Sequence, residues 1–263
     1  MRLLVLDTTS ILFRHFHASK AYDNDEDIIN GLTTMQALNA IKSAYDKFKP
    51  TAIVATFDRS SWRKNLTIKD DSFDFIYKGN RDERRRDPKE KRIYESFRAH
   101  IDGFEELLRE HTTILTLGQD MIEGDDFCAR MVQLYSKEAE NITVVTGDSD
   151  LIQLKDDNVD IINIGDVRKR PFDISKWEND PKYYLFTKII RGDKASDNIP
   201  SAFPRVRQTR IKKAYEDQYE RISMMSERYV IAGKEYVVGD RFEQNELLID
   251  LSKQPEDVKM LMD

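Results

Sequence analysis

The sequence predicts an α/β fold in which a central, mostly parallel sheet is flanked by helices. Short apolar runs without alternation are typical of strands buried on both faces, and helical periodicity fills the intervals between them. A strand, a helix and a second strand of this spacing form a βαβ unit, whose two strands run parallel. Three of the apolar runs end in an acid, at Asp7, Asp58 and Asp148.

The N-terminal half contains the first predicted βαβ unit. Residues 3–6 form a short apolar strand, and Thr8, Thr9 and Ser10 are suited to cap the helix that follows. Apolar residues at helical spacing over 31–48 predict an amphipathic helix that stops before Pro50. Residues 52–58 then predict a second buried strand, parallel to the first.

The character of the chain changes between residues 60 and 100, where basic residues concentrate. Such a charge run is consistent either with a solvated loop or with a mobile arm that neutralises phosphates. The composition of this window leaves both interpretations open. Its cations are Lys78, Arg81, Arg84, Arg85, Arg86, Lys89, Lys91 and Arg92.

Further elements follow in the same alternating order. Helical periodicity returns over 93–108, and a strand is predicted at 112–117. Glu123-Gly-Asp-Asp126 predicts the start of another helix. Acids in a first turn are stabilised by the helix dipole, so this motif does not by itself require a functional site. The remaining predictions are strands at 142–146 and 159–164, a helix from Leu151, a hairpin through 165–170, a short helix at 186–190, a basic helical region after Pro200 and a β patch at 229–231 and 236–238.

Composition sets limits on the class of protein. The chain has 263 residues, 40% of them hydrophobic and 34% charged, and no apolar run approaches the roughly 20 residues of a membrane span. No secretory signal is recognisable, and Cys128 is the single cysteine, so we expect a cytoplasmic protein without an intrachain disulfide. A formal net charge of −6 by itself disfavours a nucleic-acid partner, but the charge is unevenly distributed.

The acids at the predicted strand ends form the main candidate site. In a parallel sheet Asp7, Asp58 and Asp148 converge on one edge, where they would repel one another in a partly desolvated cleft. Divalent cations resolve this repulsion, and ligation by oxygen alone selects Mg²⁺ or Mn²⁺. Asp148 and Asp150 could instead simply cap a helix. Other acids expected near this edge are Asp150, Glu123, Asp125, Asp126, Asp193 and Asp197.

Six ordered motifs resemble the 5′ nucleases, the family of flap endonucleases and 5′–3′ exonucleases, and most closely its stand-alone phage ribonuclease H and phage 5′-exonuclease members. The resemblance covers roughly residues 1–200 and implies a PIN-like catalytic core at 1–190, with a helical arch at about 62–100, and a C-terminal helical DNA-binding region at 191–263. The motifs are Asp7 after a strand, Phe57-Asp58, Tyr77-Lys-Gly-Asn-Arg81, Glu123-Gly-Asp-Asp126, Thr146-Gly-Asp-Ser-Asp150 and Gly192-Asp-Lys-Ala-Ser-Asp-Asn198.

The resemblance also implies a role for each site residue. Asp7, Asp58, Glu123, Asp125, Asp126 and Asp148 match the ligands of a first Mg²⁺ ion, and Asp150, Asp193 and Asp197 match those of a second ion that shares Asp148. Lys78 and Arg81 match catalytic cations at the base of the arch, which would stabilise charge on the scissile phosphate. The residues expected to bind nucleic acid are Arg63, Tyr77, Arg84, Arg85, Arg205, Arg207 and Arg210.

Two departures from the family pattern stand out. The family turn places its two aspartates three residues apart, whereas Asp193 and Asp197 are four apart. The family also continues with a glycine-rich helix-hairpin-helix that binds duplex DNA, often with K⁺, whereas residues 201–210 here lack glycine. We expect Arg205, Arg207 and Arg210 to replace it by direct charge contact.

The function implied is that of a Mg²⁺-dependent, structure-specific 5′ nuclease with two metal ions, for which Mn²⁺ could substitute. Its expected partners are branched or nicked DNA and RNA–DNA hybrids with a 5′ end, and a replication protein; we expect a monomer without membrane attachment. Two alternatives remain open: a branched-DNA-binding protein on the same fold that has lost cleavage, and a phosphatase with Asp7 as its nucleophile. Thr9 disfavours the phosphatase, because that chemistry typically needs a second acid two residues after the nucleophile.

Overall fold

Two units make up the chain in a computed structural model that describes residues 1–21, 25–84, 86–166 and 169–263. The sheet unit comprises Met1–Ser61, Arg84–Phe172 and Glu256–Asp263. The helical unit comprises Trp62–Glu83 and Asp173–Pro255. The boundary near residue 190 between a catalytic core and a DNA-binding region stays a prediction.

A five-stranded sheet is the centre of the sheet unit. The strand order is β3-β2-β1-β4-β5, and each of the four strand pairings is parallel, which confirms the predicted α/β fold. β1 lies between β2 and β4, so the strand order reverses there, and open α/β sheets bind ligands outside such a switch point. The strands are β1 (Arg2–Asp7), β2 (Ala52–Thr56), β3 (Leu115–Leu117), β4 (Asn141–Thr146) and β5 (Val159–Asn163).

Helices connect these strands and form most of the helical unit. Most of the predicted helices are present, although their ends differ by several residues from the predictions. The helices are α1 (Thr8–Ser19), α2 (Glu26–Phe48), α3 (Trp62–Lys69), α4 (Gly79–Arg84), α5 (Pro88–His111), α6 (Gly124–Tyr135), α7 (Pro181–Arg191), α8 (Gln208–Glu216), α9 (Gln218–Met225), α10 (Val238–Ile249) and α11 (Glu256–Met260).

The core of the sheet unit is formed by the central strands and by one face of each flanking helix. β1 is buried from Leu3 onward, as expected for a parallel strand covered on both faces. From α5, the side chains Phe97, Ile101, Phe104 and Leu108 enter the same core at helical spacing. α2 begins at Glu26 rather than at residue 31, because Asp25 caps it by accepting hydrogen bonds from the backbone N–H groups of residues 27 and 28.

The helical unit has its own apolar packing. α7, α8, α9 and α10 contribute to one cluster that includes Phe186, Ile190 and Ile211. The predicted β patch is an antiparallel pair, β6 (Arg228–Ile231) and β7 (Lys234–Val237). None of the helices in the described parts of the chain is both long enough and apolar enough to cross a bilayer.

The segments after β4 and after β5 differ from their predictions or are described only in part. The helix expected from Leu151 is a short 3₁₀ helix, Ser149–Leu154, which begins two residues earlier. A second 3₁₀ helix spans Ser175–Trp177. The predicted hairpin at 165–170 includes residues 167 and 168, which are outside the described residues. On either side of them, the N–H of Asn163 donates a hydrogen bond to the carbonyl of Arg170.

Candidate active site

Three acids stand at or just after the ends of three adjacent parallel strands, β2, β1 and β4, as the sequence predicted. Asp7 is the last residue of β1 and pairs in register with Thr56, the last residue of β2. Asp58 follows β2 by two residues, and Asp148 follows β4 by two. Asp7 and Asp148 therefore flank the switch point between β1 and β4, where this kind of sheet has its ligand cleft.

Asp7 is the most buried of the three, with 3% of its surface exposed. Its Oδ2 accepts a hydrogen bond of 2.6 Å from the Thr146 hydroxyl, and its Oδ1 accepts one of 3.2 Å from the N–H of Ser10. Burial, together with the charges of Asp58 and Asp148, raises the pKa of Asp7 to about 7 despite the two hydrogen bonds, which lower it. The hydrogen bonds from Thr146 and Ser10 therefore do not offset the effect of burial and of the neighbouring carboxylates on Asp7.

Asp58 is held by the N-terminus of α6. The N–H of Gly124 donates to Asp58 Oδ1 at 2.6 Å, and a Cβ on Gly124 would come within 2.9 Å of that oxygen. Only glycine allows this close approach. The carbonyl of Asp58 accepts hydrogen bonds from Arg98 at 2.8 Å and from Arg59 at 3.3 Å. The backbone at this acid is therefore fixed from two sides.

The acids of Glu123-Gly-Asp-Asp126 begin α6 and stabilise its first turn. Glu123 and Asp126 form a capping box, in which the N–H of Glu123 donates to Asp126 Oδ2 at 3.3 Å. The Ser61 hydroxyl donates to Glu123 Oε2 at 2.6 Å. Asp125 is close enough to help raise the pKa of the buried Cys128 thiol, after burial itself and Asp7. Asp125 therefore contributes to the same negative field as Asp7.

Asp148 caps the 3₁₀ helix, as the capping interpretation predicted. Its Oδ1 accepts a hydrogen bond of 2.8 Å from the N–H of Asp150. Its own N–H donates to the Thr146 hydroxyl at 2.8 Å, and the same hydroxyl donates to Asp7. Thr146 thus links the ends of β1 and β4, and capping does not remove the second Asp148 oxygen from the sheet edge.

The donor set at this edge fits a divalent metal ion. It consists of carboxylate oxygens, the ligands that Mg²⁺ and Mn²⁺ prefer, and its pKa pattern shows like charges held close together. Among the described residues, no three acid, histidine or cysteine side chains already converge closely enough to hold an ion. Asp7, Asp58 and Asp148 instead each accept a hydrogen bond from a backbone N–H group.

The remaining predicted metal ligands apart from Asp150, and both predicted catalytic cations, lie in the helical unit. Asp197 is surrounded by the two predicted catalytic cations: Arg81 Nη2 lies 3.0 Å and Lys78 Nζ 3.9 Å from its Oδ1. Asp193 Oδ2 lies 3.3 Å from Lys188 Nζ, and its Oδ1 accepts from the N–H of Ser196 at 3.0 Å. Both acids of the atypical turn are therefore paired with cations.

The residues predicted to bind nucleic acid fall into different environments. Arg63 is 2% exposed, its Nε donates to the carbonyl of Leu248 at 2.9 Å, and it packs on Trp62, so it belongs to the core of the helical unit. Tyr77 is also buried, with its hydroxyl 3.2 Å from Asp197 Oδ2. A contact of Arg63 or Tyr77 with nucleic acid is not supported by these placements.

The remaining predicted arginines differ in exposure. Arg205 and Arg207 are exposed, while Arg210 is half-buried, forms an ion pair with Glu227 and lies over the ring of Phe203. Arg85 lies outside the described residues, and Arg84 is described only as the last residue of α4. Two exposed cations thus precede α8.

The sequence did not single out Thr146, Ser10, Arg59 or Arg98 as site residues. Thr146 and Ser10 stand inside predicted motifs, and a hydroxyl residue beside a strand-end acid is a recognisable signal. Arg98 reaches the carbonyl of Asp58 across 40 residues, which no local pattern indicates.

The fold and the acid set together define a class: α/β proteins with a carboxylate cluster at the switch point of a parallel sheet. Within that class, a family model described as the N-terminal, resolvase-like domain of 5′–3′ exonucleases matches residues 2–181. The chain belongs to this 5′–3′ exonuclease family, as the motifs indicated.

Curated relatives include a 5′–3′ exonuclease and DNA polymerases I. A 5′–3′ exonuclease of Bacillus subtilis is 31% identical over 208 residues, covering 76% of this chain and 64% of the relative. DNA polymerase I of Streptococcus pneumoniae is 27% identical over 208 residues, covering 76% of this chain and 22% of the polymerase. The chain thus spans less than two thirds of each of these relatives.

Solved structures of bacteriophage T5 proteins share the fold. A T5 protein co-crystallised with metal ions matches with a TM-score of 0.73 at 19% identity, over 100% of this chain and 97% of the other. The T5 flap endonuclease in a pseudo-enzyme-product complex with DNA and metal ions matches with a TM-score of 0.70 at 18% identity, over 100% and 96%.

Proposed function

We propose that this chain is a Mg²⁺-dependent, structure-specific 5′ nuclease that hydrolyses phosphodiester bonds in branched or nicked DNA during replication or repair. Membership of the 5′–3′ exonuclease family supports this proposal. The single observation that carries it is the sheet edge, where burial and the charges of Asp58 and Asp148 raise the pKa of Asp7. A divalent cation is the partner that such an arrangement favours.

The acids of the sheet edge would hold the ions. Asp7, Asp58 and Asp148 supply carboxylates from three strand ends. Asp150 is two residues from Asp148, and the first turn of α6, which carries Asp125 and Asp126, is joined to Asp58 by the N–H of Gly124. Two ions held by carboxylates would supply Lewis acidity, activating water and stabilising the leaving oxygen. The protein's own contribution is to fix the carboxylates, through Thr146 at Asp7 and through Gly124 at Asp58.

The cations of the helical unit and the exposed arginines would bind the substrate backbone. Lys78 and Arg81 are ordered by hydrogen bonds and ion pairs, which suits donors that must meet phosphate oxygens in a fixed geometry. Arg205 and Arg207 are exposed cations that would contribute less specific phosphate contacts. A DNA substrate with a 5′ end fits the names of the relatives. An RNA–DNA hybrid with a 5′ end is a further proposed substrate.

A cleavage assay tests the proposal. A 5′ flap, a nicked duplex and an RNA–DNA hybrid, each labelled at one end, are incubated with the full chain in Mg²⁺ and in excess chelator. We expect cleavage of at least the flap or the nicked duplex, only in Mg²⁺, with 5′-phosphate and 3′-hydroxyl products. Absence of Mg²⁺-dependent cleavage on all three substrates would contradict the proposal.

The variant Asp148→Asn separates cleavage from binding. We expect it to lose turnover and to keep most of its DNA affinity, because Asp148 acts on ions rather than on the helical unit's phosphate contacts. Cleavage at the wild-type rate in Mg²⁺ would refute the assignment of this acid. Wild-type binding to branched DNA with no cleavage would instead identify a binding protein on the same fold.

A phosphatase that uses Asp7 as nucleophile is disfavoured by the environment of that side chain. Asp7 is 3% exposed and its raised pKa keeps a fraction of it protonated near neutrality, whereas a nucleophile must be ionised and accessible. Acyl-phosphate trapping on Asp7 would support the phosphatase, and its absence alongside nuclease activity would exclude it.

A further inference from the structure

Asp197 receives contacts from three side chains of one short segment. The Tyr77 hydroxyl donates to its Oδ2 at 3.2 Å, and Arg81 Nη2 donates to its Oδ1 at 3.0 Å. Lys78 Nζ lies 3.9 Å from the same Oδ1. Both oxygens of this largely buried carboxylate are therefore engaged by donors from residues 77–81.

The backbones of the two segments are also joined. The N–H of Lys78, a residue with a left-handed φ of 55°, donates to the carbonyl of Asp197 at 2.8 Å. Arg81 Nε donates to the carbonyl of Ser196 at 3.2 Å, and Asn80 donates to that of Ala195 at 2.9 Å. In return Asn198 donates to the carbonyl of Ile76 at 2.9 Å.

The 192–199 turn is itself closed, which fixes Asp197 in this orientation. Asp193 and Ile199 exchange two backbone hydrogen bonds, of 2.9 and 3.1 Å. Gly192 has a φ of 64°, and a Cβ there would come within 2.4 Å of the carbonyl oxygen of Pro200, so only glycine fits. The four-residue spacing of the two aspartates is thus part of a defined loop that aims Asp197 at Lys78 and Arg81.

We propose that Asp197 is a positioning residue, the counterion that orients Lys78 and Arg81 for phosphate, and that it is not a ligand of a divalent ion; this rests on the proposed function. A carboxylate that balances two cations leaves one net positive charge to face the substrate. An ion of charge +2 on the same oxygens would have to displace the arginine and would be repelled by both cations.

The helical unit contains a matched control at Asp74. Its Oδ1 lies 2.7 Å from Arg241 Nη2, its Oδ2 lies 3.5 Å from Lys234 Nζ, and the Tyr236 hydroxyl donates to Oδ2 at 2.6 Å. Asp74 and Asp197 therefore share the same set of partners, a tyrosine, a lysine and an arginine. Asp74→Asn reproduces the structural cost of losing such a carboxylate without touching Lys78 or Arg81.

Electron paramagnetic resonance of Mn²⁺ tests the metal half of the proposal without substrate or cleavage. Bound Mn²⁺ is counted on the wild type, Asp197→Asn, Asp74→Asn and Asp148→Asn. We expect Asp197→Asn to bind as many ions as the wild type and as tightly, and Asp148→Asn to bind them more weakly by about tenfold or more. Loss of an ion from Asp197→Asn, with Asp74→Asn unaffected, would overturn the proposal.

The salt dependence of DNA binding tests the counterion half. Binding of a 5′-flap substrate is measured in chelator across a range of salt concentrations. Loss of the Asp197 charge should steepen the slope of log affinity against log salt by about one ion. The reason is that Lys78 or Arg81, no longer paired with Asp197, can then neutralise one more phosphate. Arg81→Gln in the Asp197→Asn background should remove that gain, so that the two effects are coupled rather than additive.

The remaining outcomes are also decisive. Additive effects of Asp197→Asn and Arg81→Gln, or an equal change of slope in Asp74→Asn, would overturn the counterion role. A wild-type chain that binds Mn²⁺ but neither binds nor cleaves DNA would refute the proposed function. The Mn²⁺ count on Asp197→Asn would still decide whether that acid is a metal ligand.

Discussion

The acids at the sheet edge and the acids of the 192–199 turn carry the same side chain in opposite electrostatic settings. Asp7 is buried, its hydrogen-bond donors are the neutral groups of Thr146 and Ser10, and neighbouring carboxylates raise its pKa. Asp197 is held between Arg81 and Lys78. Sequence motifs assign both to metal binding, but only the first setting leaves negative charge for an ion to neutralise.

This difference shows that the role of a carboxylate depends on the groups that contact it and not only on the motif that contains it. Removing an acid from the sheet edge relieves repulsion, whereas removing one from the turn leaves two cations without their counterion. The two regions should therefore respond to the same substitution, Asp to Asn, with stability changes of opposite sign.

The largest effect is expected for Asp7→Asn. We predict that cleavage falls by a factor on the order of 10³, because a ligand at the switch point is lost. The metal-free protein should at the same time become more stable at pH 8, by about 4 kcal/mol, because the cost of ionising Asp7 disappears. Chemical unfolding in chelator measures the second effect.

The pH dependence of that gain follows from the pKa of Asp7, about 7 in the folded state against 3.8 as its ordinary value. The folded protein binds the proton more tightly, so its stability falls as pH rises from about 4 to about 7. The advantage of Asp7→Asn should therefore be absent at pH 3.5 and complete at pH 8. A gain that is the same at both pH values would contradict this origin.

A change of opposite sign is expected for Asp197→Asn. We predict that the metal-free variant is less stable than the wild type by about 1–3 kcal/mol at pH 8, since Lys78 and Arg81 lose a largely buried counterion. Unfolding under the conditions used for Asp7→Asn measures it. Stabilisation of Asp197→Asn would remove the contrast between the two regions.

A smaller effect is expected for Gly124→Ala. The added Cβ would stand 2.9 Å from Asp58 Oδ1, so the carboxylate must move, and we predict about tenfold weaker Mg²⁺ activation of cleavage. Gly103→Ala in α5 is the matched control, because a Cβ there has no atom within 4 Å. That variant should gain up to about 1 kcal/mol of stability from helix propensity and keep its Mg²⁺ dependence.

The smallest effect is expected for the exposed arginines of the helical unit. Arg207→Gln should reduce the salt slope of duplex binding by about one ion, with a uniform loss of affinity across sequences. Arg210→Gln should change the slope less, because Arg210 already forms an ion pair with Glu227. Equal slopes for the wild type and Arg207→Gln would exclude this surface from DNA binding.

The sheet and its acidic edge were predictable because their signals are local. Apolar runs mark buried strands, and in a parallel sheet an acid at each strand end must lie on the same edge, so Asp7, Asp58 and Asp148 follow from pattern alone. The start of α2 was misplaced because a cap at Asp25 precedes the first regular apolar repeat. The 3₁₀ geometry at Ser149–Leu154 depends on the tight turn at Asp148. The spacing of apolar residues in the sequence does not indicate such a turn.

Partners that are distant in sequence could not be predicted. Arg63 was expected to bind nucleic acid, yet its buried guanidinium donates to a carbonyl 185 residues away. The pairing of Asp197 with Arg81 spans 116 residues, and the family motif at Gly192–Asn198 pointed to metal instead. In both cases the tertiary partner, not the residue type, decides the role.

The central claim is that divalent ions bind the acids of the sheet edge and not those of the turn. Crystals of the full chain grown with Mn²⁺ and measured at the manganese absorption edge locate the ions directly. The account predicts anomalous peaks against the carboxylates of Asp7, Asp58 and Asp148, with Asp197 still paired to Arg81. A peak coordinated by Asp197, or none at the sheet edge, would contradict it.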